Sequence, residues 1–157
     1  MRIAVASDEA VGVARGLRDA LERRGHDVVV HGALAAEAES AQWAWASEAA
    51  ARDVAAGRVA RAVVCCWTGT GASIAANKVR GARAALCADA ATAAGARRWN
   101  DANVLAISLR ATSEAELDEI LDAFLSTSPS AEPEDRANVD HLAAIERRED
   151  ASSAPSS

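Results

Sequence analysis

Cys66 stands where an apolar run ends and a glycine-rich turn begins, in Cys65-Cys66-Trp67-Thr68-Gly69-Thr70-Gly71-Ala72-Ser73-Ile74. A thiol at a strand end is placed to act as a base or a nucleophile. Glycines in such a turn let the backbone bend sharply and aim several N–H groups at one point. The helix start that follows adds partial positive charge, so the turn suits an anion or a developing oxyanion. Two other readings of the turn fare worse. A dinucleotide fingerprint needs a third glycine where Ile74 stands, although Asp89 lies at the right interval for a ribose-binding acid. A nucleotide P-loop needs a closing Gly-Lys-Ser/Thr, which is missing. Cys65 and Cys87 read as small core residues, the usual fate of cysteine.

Alternating short β-rich runs and helical patterns must position that turn. Strands are expected at Arg2–Ala6, Asp27–His31, Ala62–Cys66, Ala82–Cys87 and Val104–Ile107. The third is apolar throughout, as strands buried on both faces are. Helices are expected from Val13 to Gly25, from about Ala41 to Ala56, after the glycine turn to about Val79, and after the capping residue Asp89. Ser113-Glu114-Ala115-Glu116 is a capping box before a stripe of Leu117, Ile120, Leu121, Phe124 and Leu125. This alternation predicts a parallel sheet covered by helices on both faces, with ligands at the carboxyl ends of the strands. Ser126–Glu134 is Ser/Pro-rich and reads as a linker, and Arg136–Arg148 as one more helix. His26 and His31 flank a strand and read as surface residues.

Composition narrows the classes. The chain has 157 residues and a formal charge of −6. Of its apolar half, 42 residues are alanine and only 28 are Val, Ile or Leu, so the core must rely on close helix packing. An acidic balance argues against broad nucleic-acid binding, which needs clustered Lys and Arg. No stretch of ~20 residues is apolar and uncharged, so no membrane span is expected. The start, MRIAVASDEA, does not resemble a signal peptide. Three cysteines, two of them adjacent, read as thiols in a reducing cytoplasm rather than as a disulfide framework.

From Cys66 to Val79 the sequence resembles the ribose-5-phosphate isomerase B and galactose-6-phosphate isomerase family. Gly81–Cys87, Asn100-Asp101-Ala102-Asn103-Val104-Leu105-Ala106, Ile120–Leu125 and Met1–Asp8 extend the resemblance in family order. It covers residues 1–127 as one domain, with 128–148 as linker and C-terminal helix and 149–157 as a disordered tail. The resemblance implies a Rossmann-like α/β/α sandwich on a five-stranded parallel sheet. It also implies a homodimer or a dimer of dimers with sites between subunits, and aldose–ketose isomerisation of a sugar phosphate without metal or cofactor. By resemblance Cys66 is the base and Asp8 serves the substrate hydroxyls. Thr68 and the backbone of Trp67, Gly69, Thr70 and Gly71 hold the enediolate oxygens, with Ser73 on the substrate side. Asn100 reaches the sugar, across the dimer interface. Arg110 and Arg136 correspond to phosphate-binding arginines.

The departures bear on substrate choice. The family has His after the first-strand Asp, where this chain has Glu9, and His before Asn-Asp, where it has Trp99. A sugar-contacting Tyr is replaced around Gln42-Trp43-Ala44-Trp45, and a second C-terminal arginine by Asp140. Trp43 and Trp99 also read as interface or core aromatics. Loss of the ring-opening His fits a tetrose 4-phosphate, whose C4 oxygen is esterified and cannot close a furanose. Glu9 and Asp140 fit instead an unphosphorylated or modified sugar, since a like charge at about 4 Å costs on the order of 4 kcal/mol at an effective dielectric of ~20. The alternative to an enzyme is a non-catalytic sugar-binding or metabolite-binding homologue.

Overall fold

The computed structural model describes residues 1–153. Five strands, β1 (Arg2–Ser7), β2 (Asp27–Gly32), β3 (Arg61–Cys66), β4 (Ala84–Leu86) and β5 (Val104–Ser108), form one all-parallel sheet in the order β2-β1-β3-β5-β4. Helices α1 (Ala14–Arg23), α2 (Trp43–Ala55), α3 (Thr70–Asn77), α4 (Ala90–Asn100) and α5 (Glu114–Ser126) connect and cover them. The expected Rossmann-like sandwich is therefore the fold. Among the described residues, no helix is long and apolar enough to cross a membrane.

The period of two along each strand makes two unequal cores. On one face Val63, Cys65, Leu105 and Ile107 pack with Leu17 and Leu21 of α1, Ala93 and Ala96 of α4, and Ile120, Leu121 and Phe124 of α5. On the other, Ala62, Val64, Cys66 and Ala106 meet Ala46 and Ala50 of α2 and Ala72 and Ala76 of α3. The alanines gather on that second face, where small side chains let both helices sit close to the sheet. Cys65 and Cys66, neighbours in sequence, thus belong to opposite cores. The capping box forms as expected: Ser113 Oγ accepts from the Glu116 N–H at 3.2 Å, and the Ser113 N–H donates to Glu116 Oε2 at 2.8 Å.

Three expectations need correction. The fourth strand is not Ala82–Cys87 but only Ala84–Leu86. Its outer edge is capped by a side chain, because Asn77 donates to the Ala84 carbonyl (2.9 Å) and accepts from its N–H (2.8 Å). His31 is not a surface residue: it is half-buried and bonds Asp53 Oδ2 at 2.8 Å, while Arg58 bonds the other oxygen at 2.7 Å. The last helix, α6, runs Pro133–Ser153 rather than Arg136–Arg148. Pro133 is well suited to a first helical position, where its missing N–H costs nothing. The helix-favouring run Glu146-Arg147-Arg148-Glu149 carries it into the segment expected as a tail; residues 154–157 lie outside the described residues.

Candidate active site

The strand order reverses between β1 and β3: β2 lies outside one, and β5 and β4 outside the other. The connections leave the carboxyl ends of β1 and β3 in opposite directions and open a crevice there. Ser7 is paired with Cys65, so the next residues, Asp8 and Cys66, emerge side by side. They line a cleft of about 350 Å³ with Trp43, Trp67, Thr68, Thr70 and Gly71.

The turn that follows Cys66 is built as its glycines require. Gly69 is left-handed (φ 76°), and its N–H closes on the Cys66 carbonyl at 3.1 Å. A Cβ at Gly69 would stand 3.0 Å from backbone atoms of Ile107 and Ser108, so its missing side chain is needed for space as well as for conformation. The chain leaving β5 braces the turn. Leu109 N–H donates to the Cys66 carbonyl (3.0 Å), and Arg110 N–H (3.1 Å) and Ser108 Oγ (3.0 Å) donate to the Trp67 carbonyl. The first-turn N–H groups of α3 have no partner within the helix. One of them is already aimed: Ala72 N–H donates to Cys66 Sγ at 3.4 Å. The Thr68 and Thr70 hydroxyls lie 2.7 Å apart beside it.

The other thiols face different surroundings. Burial, then the neighbouring Cys66 and Asp8, pushes the Cys65 thiol up to about 12. Burial, then Asp89, pushes Cys87 up to about 11. Both read as inert core residues. Asp8 contrasts with them, because its Oδ1 is buried without a hydrogen-bond partner and it lines the cleft. Burial raises its pKa above the ordinary carboxylate value; backbone N–H groups pull it back in part, and the Glu9 carboxylate pushes it up again. The Glu9 side chain is exposed, while its backbone is held by Ser7 Oγ, which donates to the Glu9 carbonyl at 2.7 Å.

Trp43, from the segment that stands in place of a sugar-contacting Tyr, lines the cleft. Its ring lies on Gly71, where an added Cβ would be 3.0 Å from Cδ2 and Cε3. Gly71 has no left-handed φ, so what it supplies is room for that ring. A glycine inside the first turn of a helix, where no turn geometry asks for one, was the available signal. Ser73 stands further into α3, its N–H bonded to the Gly69 carbonyl, and does not line the cleft.

Trp99, Asn100 and Arg136 are not brought to Cys66 within one chain. Trp99 and Asn100 end α4 just before β5 begins, at the amino edge of the sheet. With ~3.3 Å per residue, the five residues of β5 separate them from the Cys66 edge by roughly 15 Å. Trp99 and Arg136 share a second cleft of about 380 Å³ with Arg98, Asp135 and Asp140. Asn100 lines a neighbouring groove with Arg83, Leu142 and Ile145. Arg110 stays on the Cys66 edge, exposed, beside the turn that its backbone supports.

Comparison with known proteins bears on this arrangement. The family model described as Ribose/Galactose Isomerase matches residues 3–142. Ribose-5-phosphate isomerase B of Mycolicibacterium paratuberculosis is 36% identical over 156 residues, covering 99% of this chain and 98% of that one. Galactose-6-phosphate isomerase subunit LacB of Clostridium acetobutylicum is 35% identical over 126 residues, 80% of this chain and 72% of the relative. Among solved structures, Clostridium thermocellum ribose-5-phosphate isomerase B superposes with a TM-score of 0.85 at 32% identity, covering 94% of this chain and 99% of that one.

Proposed function

The chain belongs to the ribose/galactose isomerase family, and from that membership we propose that Cys66 is the base of a cofactor-independent aldose–ketose isomerase acting on a sugar phosphate. One observation carries the assignment of the base: Cys66 Sγ opens on the Asp8 cleft and accepts the Ala72 N–H at the start of α3.

The geometry supports the following course. The Cys66 thiolate takes the proton from C2 of an open-chain aldose. The freed electron pair forms the C1–C2 double bond, and the carbonyl pair moves onto O1. The N–H groups of the turn and the Thr68 hydroxyl hold the resulting oxyanion. The thiol then returns its proton to C1 while the O2 proton passes to O1 and the C2 carbonyl forms. Asp8, short of a donor in the free protein, accepts from a substrate hydroxyl.

A second copy of the chain completes the site. Trp99, Asn100 and Arg136 cannot reach their own Cys66 around the sheet, whereas a two-fold pairing can set the amino edge of one subunit against the cleft of the other. The substrate is of the ribose 5-phosphate type or shorter. Trp43 walls the cleft, and Trp99 stands where a ring-opening His is expected, which favours a short sugar that stays open. Glu9 and Asp140 weaken the anion end and leave Arg110 and Arg136 as its cations. A cytoplasmic setting, where thiols remain reduced, fits the chemistry.

Incubation in D2O with ribose 5-phosphate, erythrose 4-phosphate and unphosphorylated pentoses, followed by NMR, tests the reading. Deuterium uptake next to the carbonyl is expected with at least one phosphorylated sugar. Binding without any exchange would sink it in favour of a non-catalytic homologue.

The acid limb of kcat/KM offers a second check. If ionised Asp8 is required, activity falls as the pH drops through its raised pKa. Removing the Glu9 charge removes a repulsion that opposes ionisation. Glu9→Gln is therefore expected to move the Asp8 step of the acid limb to lower pH, and Asp8→Asn to remove that step. A limb that stays in place in both variants would exclude Asp8 as its source.

A further inference from the structure

Asp101, the residue after Asn100, is the one described non-glycine residue with a positive φ, 44°. A side chain there carries a strain that glycine would not. Helices that only need to stop commonly place glycine at this point. Here the strained residue is held from three directions instead. Its Oδ1 accepts from Arg97 Nη1 at 2.8 Å, its Oδ2 from Arg83 Nη2 at 2.8 Å, and its carbonyl from Arg83 Nε at 2.8 Å.

Arg97 is only 1% exposed, and its guanidinium lies 5.8 Å from the Phe124 ring centroid. Burying an arginine is costly unless it is paired, and an apolar side chain would fill the same space more cheaply. Arg83 is fixed in turn, because its N–H donates to Asn103 Oδ1 at 2.7 Å and Asn103 donates to the Gly81 carbonyl at 2.8 Å. The last turn of α4 is thus tied to the loop before β4 and to the core. The residues it carries outward, Trp99 and Asn100, are both exposed. Trp99 is itself laid down on α4, since a Cβ at Gly95 would come 2.7 Å from its Cζ3. A glycine inside a helix is less favourable than alanine, because its backbone has more freedom to lose. Two local sacrifices, at Gly95 and Asp101, therefore orient two exposed side chains at the amino edge of the sheet.

We propose that Asp101, clamped between Arg97 and Arg83, is a positioning residue that aims Asn100 and Trp99 into the Cys66 cleft of a second copy of the chain. The inference rests on the two-subunit site proposed above. Loose placement of a substrate-contacting group lowers turnover steeply, and residues that orient such groups typically matter 10–100-fold.

The test is subunit complementation. Asp101→Gly keeps the left-handed backbone and removes the carboxylate. It is expected to remain folded and dimeric, with kcat/KM lowered about 10–100-fold, mainly in kcat. Mixed with Cys66→Ala subunits after dissociation and reassociation, it is expected to recover about a quarter of the wild-type rate, because half the dimers are mixed and each holds one intact site. A purely structural defect has no reason to be rescued by a partner that lacks the base. No rescue, or a wild-type kcat/KM in Asp101→Gly, would overturn the proposal. If Asp101→Gly does not fold, Asp101→Asn, which tolerates the same backbone, is judged by the same two readings. Asn100→Ala mixed with Cys66→Ala serves as the control. Rescue there without rescue of the Asp101 variant removes the clamp and keeps the shared site; rescue in neither removes both.

Discussion

Cys66→Ala is expected to lower kcat/KM by about 10³–10⁴-fold, while Cys65→Ala leaves it within a few-fold. A general base typically contributes 10²–10⁴-fold, and in the proposed course the same atom serves both proton transfers, so the upper part of that range applies. The two residues differ by one position in β3, which turns them to opposite faces of the sheet. Cys65 is fully buried and its thiol is pushed up to about 12, so it cannot supply a thiolate near neutral pH. Cys66 has the Ala72 N–H on its sulfur and the cleft before it. Kinetics with the best substrate of the D2O panel decide the matter. Alkylation by iodoacetamide near pH 8 gives a second reading by mass spectrometry. Cys66 should react and be protected by the sugar phosphate, while Cys65 and Cys87, held protonated at about 12 and about 11, should stay unmodified. Equal losses from the two alanine variants would remove Cys66 from the role of base.

Gly69→Ala is expected to cost about 2–5 kcal/mol of stability and most of the activity. Its left-handed φ accounts for about 1–2 kcal/mol in any side-chain-bearing residue. Its Cβ would also stand 2.5 Å from Leu86 Cδ1 and 3.0 Å from Ile107 C and Ser108 N. The leucine methyl can rotate away, but the backbone of β5 cannot, since it is paired with both β3 and β4. Overpacking of this kind typically adds 1–3 kcal/mol. For a chain of this size the melting temperature should fall roughly 4–20 °C, at about 2–4 °C per kcal/mol. Relief would come from lifting the turn off β5, which also moves the N–H groups from the enediolate position. Thermal unfolding and kinetics below the melting point separate the two effects. A variant that melts like the wild type would show that the turn has more room than its contacts allow.

Much of the fold was legible because it is written in local patterns. The apolar run Ala62–Cys66, the capping box at Ser113 and the glycines after Cys66 each act within one or two turns of chain, so their meaning does not depend on distant residues. The same holds for the resemblance, whose longest motif is the continuous stretch Cys66–Val79. Where local signals compete with distant partners, the expectations shifted. The fourth strand pairs with β5 over only three residues and has its outer edge taken by the Asn77 side chain, and His31 turns inward because Asp53, in the next helix, offers a partner.

The candidate site divides along the same line. The sequence by itself determined which residues can do chemistry: a thiol at a strand end, a turn of backbone donors, and an acid after the first strand. Only the tertiary structure decided which of them meet. Parallel pairing of β1 and β3 at the point where strand order reverses sets Asp8 beside Cys66, and the path of α4 carries Asn100 and Trp99 to the far edge. Trp43 lays its ring on Gly71 at the cleft, and Asp101 gained its clamp from Arg83 and Arg97. Contacts between residues far apart in sequence depend on topology and packing. Periodicity along the chain carries no record of which strand ends lie together.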